Sequence, residues 1–134
     1  MAMMMDEYFF TFGGVEDNAN LDTANVYFYD LTSGLTSGSW NWASGMPQGN
    51  ACPSAGSWYD YATNEFYFVV VGGYLHTTSP PEQNFCDTFR TSDALWAPCA
   101  ERYPLTTIGL SPMTFGNDRL RFFGGQLDPE RVFE

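Results

Sequence analysis

The chain contains no lysine and only one histidine, His76, among its 134 residues. Its bases are five arginines (Arg90, Arg102, Arg119, Arg121 and Arg131) against 16 acids, for a formal net charge of −11. So few cations exclude nucleic acid as a partner, because phosphates are bound by Lys and Arg, and they equally exclude an anionic membrane surface. Long hydrophobic runs are missing too. The longest, Phe66 to Val71, is far shorter than the ~20 residues a membrane-spanning helix needs, so no membrane insertion is expected. The first residues, Met1 to Glu7, lack the basic stretch and apolar core of a secretory signal. Cysteine is scarce: Cys52, Cys86 and Cys99 are an odd number without C-x-x-C spacing, implying neither a zinc site nor a closed disulfide framework. Free buried thiols are the favoured reading, a single Cys pair the alternative. No N-x-S/T sequon occurs, and the compartment stays open.

What the chain does have is aromatic residues, 18% of the total within a hydrophobic share of 44%. That apolar load excludes a disordered chain. The length fits one domain, residues 1–134. No long stretch repeats apolar residues at helical spacing, whereas Gly, Pro, Ser, Thr, Asn and Asp recur every few residues. Short aromatic or β-branched runs between turn residues predict strands. The clearest are Tyr8–Phe12, Val26–Tyr29, Glu65–Val71 and Arg119–Phe123. Fainter ones are Ser39–Trp42, Ser57–Tyr61, Asp87–Arg90, Leu95–Ala97, and Thr106–Leu110 together with Met113–Phe115. The expected class is all-β and antiparallel.

Three of the strong strands end alike. Phe12 runs into Gly13-Gly14, Val71 into Gly72-Gly73 and Phe123 into Gly124-Gly125, at intervals of 59 and 52 residues. A period near 50 residues is a repeat signal. After the first doublet come an aromatic strand ending in Tyr29-Asp30 and then Trp40; after the second come Asp87 to Arg90 and then Trp96. In these features the chain resembles the kelch-repeat family, with about 2.5 degenerate repeats. The run Asp87-Thr88-Phe89-Arg90-Thr91-Ser92-Asp93-Ala94-Leu95-Trp96 looks like a D-x-W-x-S-x-D-G-x-x-W variant of that repeat, with Phe89 for the first Trp, Thr91 for Ser and Ala94 for Gly.

The resemblance implies four-stranded antiparallel propeller blades, here over residues 8–47, 54–98 and 106–126, with 1–7 and 127–134 as flexible ends. It gives Gly13, Gly14, Gly72, Gly73, Gly124, Gly125, Trp40 and Trp96 a structural role. Closed propellers have ~4–8 blades, so the expectation is an incomplete or open array: a fragment of a longer product, or blades held within a larger assembly. In the family's strand order the chain begins on the second strand of a blade.

Chemistry reads as sparse. One histidine cannot build a His-rich copper or zinc site, and the E-x-x-x-D-x-x-x-H iron run of some kelch-type proteins is absent, because Gly72 stands four residues before His76. No cofactor and no catalytic residue is therefore expected, although Cys86 or Cys99 could formally pair with His76. Asn18, Asn20 and Asp22 stand at the i, i+2, i+4 spacing of calcium loops, but the turn glycine and closing Glu are missing, and an ordinary Asx-rich loop is the preferred reading. The loops after the glycine doublets form much of the ligand face in kelch-like propellers. The binding candidates are Tyr74, His76, Asn20, Asp22, Trp42 and Arg102. The leading function is a non-enzymatic interaction module with a protein partner. The alternatives are carbohydrate binding and a piece of a kelch-type oxidoreductase whose catalytic residues lie elsewhere.

Overall fold

A computed structural model describes residues 2–5, 7–16, 21–78, 83–102, 108–115, 119–128 and 131–132. The described residues form thirteen strands, in chain order β1 Ala2–Met5, β2 Tyr8–Phe12, β3 Val15–Glu16, β4 Leu21–Asp22, β5 Asn25–Asp30, β6 Ser39–Gly45, β7 Ser54–Asp60, β8 Glu65–Val71, β9 Cys86–Arg90, β10 Leu95–Pro98, β11 Ile108–Phe115, β12 Arg119–Asp128 and β13 Arg131–Val132. All pairings are antiparallel. The first sheet runs β1-β2-β5-β6, the second β7-β8-β9-β10, and the third β11-β12-β13. Each is an up-and-down meander in sequence order. The short β3–β4 hairpin projects from the connection between β2 and β5.

One detail differs from the sequence reading. Residues 1–7, expected as a loose end, include β1, which pairs along β2 from Ala2 opposite Thr11 to Met5 opposite Tyr8. The first sheet therefore has four strands and starts on its first one, not its second. Thr106–Leu110 with Met113–Phe115, expected as one faint strand, is in its described part the single strand β11. Pro112 sits inside that strand without ending it, as an edge strand allows.

The sheets stack through their faces. Strand alternation puts Phe10 and Phe12 on one side of β2, with Phe28 and Val26 directly opposite them on β5. This side meets the face of the second sheet that carries Phe68, Val70 and Phe89. Ring centroids lie 5.0 Å apart for Phe10–Phe68, 5.1 Å for Phe12–Phe68 and 6.0 Å for Phe12–Phe89. Trp96, opposite Phe89 on β10, closes the cluster at 5.0 Å from Phe89 and 6.3 Å from Phe12. Its indole N–H is buried with no hydrogen-bond partner among the described residues, a cost accepted for the area the ring covers. On the other face of the second sheet, Gly56 has no side chain, and Leu120 and Pro112 of the third sheet press into that gap.

Cys86 and Cys99 form a disulfide, with Cα atoms 5.5 Å apart, and Cys52 is a free, exposed thiol. The expectation of free buried thiols is corrected. The bond joins the first residue of β9 to the residue after β10, where Cys99 N–H also donates to Cys86 O at 3.1 Å. It therefore locks the open end of a hairpin that is already paired. Across a separation of 13 residues, the chain-entropy account predicts about 3 kcal/mol of stabilisation. In a Cys52→Ser background, adding reductant or Cys99→Ser is expected to lower the unfolding free energy measured in urea by that amount, with the far-ultraviolet spectrum of the folded state unchanged.

Candidate functional site

The glycine doublets turn the chain out of β2 and β8 at positive φ: 59° at Gly13, 132° at Gly14, 63° at Gly72 and 110° at Gly73. The segment linking the first and second sheets threads between these two corners. Asn50 N–H donates to Thr23 O at 3.1 Å, Asn50 O accepts from Gly14 N–H at 3.0 Å, and Ala51 exchanges two backbone hydrogen bonds with Tyr74. The fully buried Asn50 side chain donates through Nδ2 to Gly72 O at 2.9 Å and accepts at Oδ1 from Tyr74 N–H at 3.0 Å. One amide side chain thus satisfies the Gly72 carbonyl at the second corner and gives Tyr74 N–H a second acceptor beside Ala51 O. Sequence reasoning did not single out Asn50. Its signal, a short polar side chain beside Gly49 in a connection between strands, is the same as that of any turn.

The β3–β4 hairpin carries Asp22 toward the loop after the second doublet. There the carboxylate receives His76 N–H at Oδ2 (2.5 Å) and contacts His76 Nδ1 through Oδ1 (2.6 Å). The Asp22 side chain is 1% exposed and that of His76 33%. A buried acceptor on Nδ1 fixes the ring and leaves Nε2 as the nitrogen for an outside partner. Tyr74 packs edge-on against the same imidazole, with centroids 4.6 Å apart. Two residues distant in sequence are thereby clamped together, and an aromatic pair is presented on a preorganised loop.

Of the sequence candidates, Asp22, Tyr74 and His76 are brought together. Asn20 lies outside the described residues, as does Asn18. Trp42 is 62% exposed on β6 and borders a different feature, a cleft of about 470 Å³ between the first two sheets that Tyr8, Phe10, Phe28, Asp30 and Phe66 also line. Arg102 is exposed beyond β10 and lies near enough to Asp87 to bear on its ionisation. The formal Cys–His pairing is overturned, since Cys86 and Cys99 are consumed in the disulfide. Among the described residues, no three His, Cys, Asp or Glu side chains gather as a metal-binding group, and no helix is long and apolar enough to cross a membrane.

Asp87, 6% exposed between Val70 and Pro98 in the second sheet, is the buried acid of the described core. Burial pushes its carboxyl above the usual range, and the Arg102 guanidinium partly opposes this. A raised folded-state value means that the folded chain holds the proton more tightly than the unfolded one. Its contribution favours folding at low pH and turns unfavourable as pH rises through that value. Asp87→Asn is therefore expected to be more stable than wild type in urea at pH 7, with the gain fading as the pH falls into the carboxylate range.

No protein-family model matches the chain, and no curated protein matches its sequence.

Proposed function

We propose that the chain is a non-enzymatic interaction module: its stacked sheets are kelch-like propeller blades, and its loops after the glycine doublets hold a protein partner. The observation that carries this reading is the Asp22–His76 clamp, which fixes Tyr74 and His76 as a rigid aromatic pair at the corner between two repeat-related sheets. Preorganised aromatic side chains make good anchors because little entropy is lost when they are buried. The repeat assignment draws support from two four-stranded meanders, each leaving its second strand through a Gly-Gly corner and each placing an aromatic strand and a Trp in register beyond it. The partner is expected to offer a basic patch, which a lysine-free chain of net charge −11 would attract. The Cys86–Cys99 disulfide supports an oxidising compartment for the encounter.

The test is affinity capture from the source cells with wild type and with a Tyr74→Ala/His76→Ala variant, followed by purification of each retained protein and measurement of its affinity for both. The expected result is a partner whose binding is weakened at least tenfold, since truncating an interface anchor costs ~2 kcal/mol or more and tenfold is about 1.4 kcal/mol, with the melting temperature unchanged and binding reduced by salt. Equal affinity of the two forms for every retained protein would overturn the reading.

A further inference from the structure

The interior of the molecule shows what its outer surface is built to receive. In the second sheet, Phe68, Phe89 and Trp96 lie side by side across β8, β9 and β10, and Phe10 and Phe12 of the first sheet seat on them. The first sheet carries the same trio. Phe9, Tyr29 and Trp40 lie side by side across β2, β5 and β6, and Phe9 stands four residues before Gly13 as Phe68 stands four before Gly72. Tyr29 and Trp40 are 5.3 Å apart, against 5.0 Å for Phe89 and Trp96. Here, however, the trio faces outward. Trp40 is 55% exposed and Leu35 81%, and Phe9, Tyr29, Leu31, Leu35 and Trp40 line a shallow hollow of about 280 Å³.

The third sheet supplies the complementary half. Leu120, four residues before Gly124, presses on Gly56 of the second sheet, so the third sheet stacks in the same sense as the other two. Phe123 then occupies the position of Phe12, immediately before the glycine doublet, and it is 45% exposed. Met113 is opposite Arg121 on the same face and is 52% exposed. Charge points the same way. Residues 1–89 contain ten acids and no base, whereas residues 90–134 hold all five arginines beside six acids. A contact of first sheet on first sheet would bring together two parts of the chain without a single base, whereas first on third sets the base-free part against the part that holds the arginines.

We propose that the outer face of the first sheet docks the outer face of the third sheet of a second copy, head to tail, repeating the step that stacks the first sheet on the second. The contact is heterologous, so a joined pair keeps one unused face of each kind and can add further copies. It rests on the reading of the sheets as repeat-related stacked units.

The test is sedimentation of the full chain over a hundredfold range of concentration, with Trp40→Asp, Met113→Asp and, as a control at another exposed aromatic, Tyr61→Asp. Wild type and Tyr61→Asp are expected to assemble, and the first two variants each to remain at the 15.0 kDa of one chain. An equimolar mixture of Trp40→Asp and Met113→Asp is expected to form a dimer and nothing larger, because only one complementary pair of faces survives. Should Trp40→Asp fail to fold by near-ultraviolet circular dichroism, Leu35→Asp takes its place. A monomeric wild type, variants that assemble as wild type does, or a mixture that stays monomeric would each overturn the proposal. A monomeric wild type whose partner binding still depends on Tyr74 and His76 would overturn self-docking and leave the interaction reading standing.

Discussion

Phe68→Ala is expected to lower the unfolding free energy by about 3–5 kcal/mol, the range for deleting a buried Phe from a core that cannot collapse to fill the space. Collapse is blocked by the arrangement of the surrounding rings. Phe68 is fully buried, held from across the sheet interface by Phe10 and Phe12 and from its own sheet by Phe89. Those three are fixed on paired strands, so none can advance without breaking register. The loss should be shared by both sheets, since Phe68 is where they meet. Hydrogen exchange is the decisive measurement: the amides of β2 and β8 should lose protection together. Loss confined to β8 would show that the first sheet does not depend on this contact. Phe68→Leu, which keeps most of the volume, should cost clearly less.

The strands were legible wherever their own residues specify them. Tyr8–Phe12 and Glu65–Val71 are strands with the bounds read from sequence, because aromatic and β-branched runs between turn residues fit little else. β1 was not legible. Ala-Met-Met-Met carries no β-branched or aromatic residue, and it is a strand because β2 offers a free edge for pairing. Propensity is silent where a neighbour decides. The disulfide escaped for a related reason: 13 residues of separation say nothing until β9 and β10 fold back on each other and bring Cys86 beside Cys99.

The candidate site divides along the same line. Tyr74, His76 and Asp22 were identifiable one by one, as polar or aromatic residues in loops after glycine doublets. That Asp22 reaches His76 across 54 residues follows from the stacking of the sheets, which no local pattern encodes. Asn50 was invisible because its role is to satisfy the backbone of another segment. Ala94 shows the reverse. The resemblance flagged it as a departure from glycine, and it does adopt a left-handed φ of 56°, a strain offset by packing of its methyl group against the core.

Gly73→Ala is expected to cost as much as the core deletion, by a different route. At φ 110° an L-residue is strained wherever it stands, and the added Cβ would be driven into the Asn50 carboxamide. Backbone strain of this kind costs ~1–3 kcal/mol. Displacing Asn50 strands the carbonyl of Gly72 and leaves Tyr74 N–H with only its bond to Ala51 O, a further ~1–3 kcal/mol for a buried group left unpaired. The total, about 2–6 kcal/mol, is a large part of the ~5–15 kcal/mol that holds a domain of this size together. A double-mutant cycle separates the two parts. Asn50→Ala alone should lose the hydrogen bonds but relieve the clash, so Gly73→Ala/Asn50→Ala should be less destabilised than the sum of the two single variants. Strict additivity in urea unfolding would mean that the corner does not depend on this amide. The cycle also bears on the site, because Tyr74 hangs on the same hydrogen bonds: a displaced Asn50 loosens the aromatic pair at Tyr74 and His76 even in molecules that remain folded.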